Sequence, residues 1–157
     1  MSATKKGIIL AVAGGVLVAA VIILVARARR PVVSDRQQIL QLIEDMRLAV
    51  ERKSVSGCMH YLSQDYHDAG GSRRDLQRLM VGAFRTANDI ELSVQADQIE
   101  VTGRTAAISV RADVTSVSRE GARDTTPLVV RATLAKEKGR WVVTHAEGYE
   151  EGGTAFE

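Results

Sequence analysis

The stretch GRWVVTHAEGYEE, residues 139–151, opens on a turn glycine and runs on as a strand. Trp141 and Val143 share one parity and Val142 and Thr144 the other, the period of two that sends alternate side chains to opposite faces. Carried onward, this period puts His145, Glu147 and Tyr149 on the face of Trp141 and Val143. Lys138-Gly139 turns the chain back onto a strand in which Leu128, Val130, Ala132 and Leu134 alternate with Val129, Arg131 and Thr133. Before the polar loop SREGARDTT, Ala106, Ile108, Val110, Ala112 and Val114 alternate with Ser109, Arg111, Asp113 and Thr115. Gly103 marks a further tight turn. Ile90, Leu92, Val94 and Ala96 then share a parity that Ile99 and Val101 break, which predicts a bulge near Asp97. The pattern is a four-stranded antiparallel meander.

Upstream of residue 90 the period changes to that of helices. Ser34 with Gln37 has capping-box spacing, and Ile39, Ile43, Met46 and Val50 form one apolar stripe over about 18 residues. A short second helix is predicted over Val55–Leu62, with Val55, Met59 and Leu62 inward. After the loop SQDYHDAGG, Ser72 and Asp75 repeat the capping spacing. Leu76, Leu79, Met80, Ala83, Phe84 and Ala87 then make the third stripe, and Arg73, Arg74, Arg78 and Arg85 read as its solvated face. Three helices followed by a meander is an α+β layout with helices covering one sheet face.

Residues 7–26, GIILAVAGGVLVAAVIILVA, carry no charge. At 1.5 Å per residue, about 20 residues match the hydrocarbon thickness of a bilayer, so a transmembrane helix is expected. A cleaved signal peptide, with Ala26-Arg27-Ala28 as an A-x-A site, is the rival, but the apolar run exceeds the usual h-region and arginines follow at once. The division expected is a tail over 1–6, a span over 7–26, a basic linker over 27–33, one domain over 34–150 and an acidic tail over 151–157. Ala11, Gly15 and Ala19 have small-residue spacing, which a plain anchor also explains. Basic residues flank the run on both sides, so loop charge barely orients it; a signal-anchor would place the domain outside the cytosol.

Lys5, Lys6, Arg27, Arg29 and Arg30 put +5 ahead of residue 34, and with 21 basic and 19 acidic residues in all, the remainder holds 16 against 19, or −3. A mildly acidic body argues against a nucleic-acid partner. Cys58 is the single cysteine, which precludes an intrachain disulfide and reads as a small buried hydrophobe. His60, His67 and His145 lack metal-ligand spacing, and no phosphate-loop or dinucleotide fingerprint occurs, so no cofactor or metal is expected.

The order of elements, together with Leu62-x-x-Asp65-Tyr66 at the end of the second helix and Gly139-Arg140-Trp141-Val142-Val143-x-His145 on the last hairpin, resembles the nuclear transport factor 2-like superfamily, especially its bacterial SnoaL-like members. The resemblance spans roughly residues 34–150 and implies a cone of curved sheet closed by helices. It also implies dimerisation through the sheet; joined to the span expected over 7–26, a bacterial member would be a single-pass inner-membrane protein. Members include isomerases, cyclases, dehydratases and domains without chemistry. Ketosteroid isomerase uses a carboxylate base after the second helix and a tyrosine on the first. Here Asp68 lies nearest the base position, while residues 34–53 contain no tyrosine.

His145, with Glu147 two residues on, is the candidate general base, Asp68 the other. A rim hydrogen bond at His145 is the simpler alternative. His60, Tyr61, Tyr66, Trp141, His145 and Glu147 are the expected ligand-binding set at the open end of the cone. Asp113 and Arg131 are expected to pair across the outer face. The reading is a membrane-anchored, non-catalytic domain that binds a small apolar ligand or a membrane-protein partner as a homodimer. A lyase or isomerase using His145 or Asp68 is the alternative.

Overall fold

The structure is a computed structural model, and it describes residues 33–150. The apolar run 7–26 and the tail 151–157 lie outside those residues. From Ser34 on, the described residues belong to one compact unit. Among the described residues no helix is long and apolar enough to cross a membrane.

Helix α1 spans Asp35–Glu51 and starts at a reciprocal capping box: Gln37 N donates to Ser34 Oγ and Ser34 N to Gln37 Oε1, both at 3.2 Å. Its deepest residues are Ile39, Leu42 and Ala49, so the buried stripe is rotated by part of a turn from the expected Ile39–Ile43–Met46–Val50 line. Helix α2 is Val55–His60, two residues shorter than the periodicity suggests. Leu62 leaves the helix to bridge Val143 in parallel, with Ser63 N donating to Val143 O at 2.9 Å and Val143 N to Tyr61 O at 2.8 Å.

The loop that follows holds a small hairpin, β1 (His67–Asp68) with β2 (Gly71–Ser72). Gly71 takes φ +126° there, and a Cβ would lie 2.8 Å from Asp75 Oδ2, the atom that caps the next helix through Ser72. Helix α3 covers Arg73–Thr86, and none of its residues is fully buried.

Strands β3 (Asp89–Thr102), β4 (Thr105–Val117), β5 (Arg123–Glu137) and β6 (Arg140–Glu150) form one antiparallel sheet in chain order. The register between β3 and β4 slips between Ala96 and Gln98, the expected bulge. A second slip, between Thr133 and Leu134, was not expected: Leu134 pairs with Val143 and Thr133 with His145, leaving Thr144 as the extra residue. Ala106, Ile108, Val110, Ala132, Leu134, Trp141 and Val143 face Ile39, Leu42, Met59, Leu62 and Tyr66 to make the core.

Candidate functional site

A cavity of about 350 Å³ lies between the helices and the inner sheet face. Its wall includes Leu42, Met46, Leu76, Met80, Leu92, Val94, Val110 and Val130, together with Ala112, Ala132 and Ala146. Three alanines at inward positions of β4, β5 and β6 leave room that larger side chains would fill. That spacing was visible in the sequence for Ala112 and Ala132. Ala146 takes its inward place only through the bulge in β6 described below.

Polar groups are scarce in the wall. Arg47 spends its guanidinium on α1 itself, at 2.6 Å from Glu44 and 2.7 Å from Glu51. Cys58 is buried, and that desolvation pushes its thiol pKa up, away from thiolate chemistry. Tyr66 is buried, and its hydroxyl donates to Asp68 Oδ2 at 2.7 Å. Burial first, and the Asp68 carboxylate second, raise the phenol pKa well above its ordinary value. Asp68 takes a second bond on Oδ1, from Gly70 N at 2.8 Å. Each of its oxygens thus already accepts a bond, one from Tyr66 and one from Gly70 in the β1–β2 turn.

His145 is on the other side of the sheet. The expected parity fails because Thr144 is a bulge residue: it shifts the alternation by one, so Ala146, opposite buried Ala132, takes the inward place. His145 and Glu147 stand instead opposite Thr133 and Arg131. They border a separate polar depression of about 300 Å³ with Gln98, Glu100, Ser109 and Arg131. The imidazole is held from both sides, Nδ1 2.7 Å from His67 O and Nε2 3.1 Å from Glu147 Oε1. Glu147 first, then the His67 carbonyl, raise its pKa above the ordinary histidine value.

The other expected ligand contacts are dispersed. His60 Nε2 lies 2.6 Å from Arg140 Nη1 and meets the Tyr61 ring edge-on. Tyr61 donates to Asp45 Oδ2 at 2.9 Å, beside a different hollow. Trp141 is in the core but not in the cavity wall, and its Nε1 donates to Asp35 Oδ1 at 3.1 Å. Its polar edge is therefore anchored at the start of α1. Lys136 Nζ, 2.6 Å away, and Trp141 hold the Asp35 carboxyl below the usual carboxylate range. Of the expected set, only Tyr66 lines the cavity. On the outer face, the expected Asp113–Arg131 pair does not form by register: Asp113 stands opposite Pro127 and Ser93, and the ion pair there joins Arg111 to Asp97 at 2.8 Å. Among the described residues, no group of three His, Cys, Asp or Glu side chains comes together as a metal site.

No family model matches the chain, and no curated sequence is similar to it. Solved structures are. A protein from Streptomyces avermitilis assigned as a dehydratase of the nuclear transport factor 2-like family superposes with TM-score 0.69 at 12% identity, covering 74% of this chain and 96% of its own. A protein from Novosphingobium aromaticivorans assigned as a scytalone dehydratase gives 0.70 at 11% identity, with 78% and 88% covered. A nuclear transport factor 2-like protein of unknown function from Shewanella oneidensis gives 0.62 at 17% identity, with 73% and 98% covered. At such identities the likeness concerns the backbone: this domain has the nuclear transport factor 2-like fold.

Proposed function

We propose that the domain is a non-catalytic receptor for a small apolar ligand, tethered to a membrane by residues 7–26. The observation that carries the reading is the cavity wall: its volume of about 350 Å³ is at the lower end of small-molecule sites, and its polar side chains are already committed within the protein. A lyase or isomerase must move a proton at a substrate atom. The bases considered for it are His145, beyond the sheet, and Asp68, whose oxygens already accept bonds from Tyr66 and Gly70. Two of the structural neighbours are assigned as dehydratases, which keeps that alternative worth testing.

The test uses residues 31–157, which retain every core side chain described above. N-phenyl-1-naphthylamine, a fluorescent apolar probe, is expected to bind. Ala112→Phe, which places a ring in the cavity, is expected to weaken binding tenfold or more with circular dichroism unchanged. Equal affinity in a folded variant places the probe elsewhere and removes the support for this reading.

The tether is tested separately. With Cys58→Ser removing the native thiol, a maleimide unable to cross membranes is expected to label Ser118→Cys in intact cells. Labelling only after lysis reverses the orientation, and recovery in the soluble fraction removes the tether.

A further inference from the structure

Helix α3 is attached like a lid. Leu76 and Met80 reach the cavity, yet no residue of the helix is fully buried and Leu79 is 67% exposed. Its main neighbours are α2 and β2. At its C-terminal end Lys53 Nζ donates to the carbonyls of Ala87, at 3.3 Å, and Asn88, at 2.9 Å. At its start, Arg73 N donates to Tyr66 O and Arg73 Nη2 to Met59 O, both at 3.0 Å. That start grows directly out of the β1–β2 hairpin, which leans on β6. The side-chain fastening between hairpin and strand is His145, at the His67 carbonyl.

We propose that His145 is a pH-sensitive latch: as an imidazolium it clamps the β1–β2 hairpin to β6 and keeps α3 over the cavity, and on losing its proton it lets the hairpin and lid loosen. Donating to both of its neighbours takes two protons on the ring. Nδ1 faces a backbone carbonyl and Nε2 a carboxylate, and neither partner can donate. A neutral imidazole has one N–H for these two acceptors. The carboxylate is the stronger acceptor, so the remaining proton stays on Nε2 and a bare Nδ1 lone pair confronts the His67 oxygen.

The titratable groups around the ring come from four strands. Glu147 lies on β6, with Arg131 of β5 opposite it; the His67 ring, 5.6 Å from that of His145, and Asp68 lie on β1; Glu100 of β3 borders the same depression. Glu147 and Asp68 both favour the cation. Because the latched ring holds its proton more tightly than an ordinary histidine, the latch is complete below the ordinary histidine pKa. It is lost as pH rises through the raised value. The proposal rests on the cavity being the ligand site.

Hydrogen exchange on the full chain, corrected for intrinsic pH dependence, reads the latch. Amides of residues 67–86 are expected to exchange about fivefold faster at pH 8.5 than at pH 5.5, the ratio one ordinary hydrogen bond is worth. In His145→Ala they exchange at the faster rate at both pH values. Glu147→Gln, a milder change should the alanine variant fold poorly, moves the step to lower pH. Nitrogen shifts of the His145 ring are expected to show the Nε2–H tautomer in the neutral form. A rate without a pH step in the wild type, or a neutral ring protonated on Nδ1, overturns the latch. Failure of the naphthylamine probe to bind would instead strike the cavity reading, so the two failures are told apart.

Discussion

Trp141→Ala is expected to lower the unfolding free energy by about 3–5 kcal/mol, the usual cost of truncating a buried large aromatic residue. The indole is 4% exposed and packs with the core that joins sheet and helices. Its loss removes apolar contact and also frees one partner of Asp35, where Lys136 and the indole together hold the first residue of α1 against the sheet. That is a large share of the roughly 5–15 kcal/mol that stabilises a domain. His145→Ala is expected to cost under about 1 kcal/mol below neutral pH, because its partners regain water when the ring goes. Urea titrations of the two variants check the ordering. A larger loss at His145 than at Trp141 would mean that the hairpin fastening, and not the indole, organises this end of the domain.

Leu134→Ala should be nearly as damaging, at about 2–5 kcal/mol. Leu134 is fully buried on β5, flanked in register by Ala106 of β4 and Val143 of β6. Strands hydrogen-bonded on both sides cannot close in on the space a leucine leaves, so the cavity term stays near its upper range. For a domain of this size the melting temperature should fall by on the order of 10 °C. Leu76→Ala, at the wall of the existing cavity and only half-buried, should cost less than half as much. Thermal melts of the pair therefore test the cavity as well as the core: equal losses would mean that Leu76 is packed as tightly as Leu134 and that the space beside it is closed.

Much of the fold was legible in the chain because local chemistry set it. Ser34 with Gln37 and Ser72 with Asp75 did mark helix starts: the first is a reciprocal box, and at the second the Asp75 carboxylate accepts from both the backbone N and the hydroxyl of Ser72. The change of period at Ile90 marked the start of the sheet, and the parity break around Asp97 marked a real bulge, since two out-of-phase apolar sets on one strand leave no other way to face one core. Leu62 and Asp65-Tyr66 marked the end of the second helix, although the helix itself stops at His60. The β1–β2 hairpin escaped notice because its strands have two residues each, too few to show a period.

The candidate site was read less well, and one residue explains most of it. Nothing in TWO-residue alternation across Val143, Thr144 and His145 distinguishes a bulge from a regular strand, since both faces there carry side chains of mixed polarity. By itself the sequence determined the capped helices, the meander and the first bulge, all of which follow from contacts between near neighbours. Only the tertiary structure decided that Thr144 is the extra residue. Leu134, fully buried, takes Val143 as its partner, and Ala132 takes Ala146, so core packing between β5 and β6 turns Ala146 inward. That choice of register sends His145 out to the hairpin and leaves an apolar hollow on the face where the alternation had placed His145.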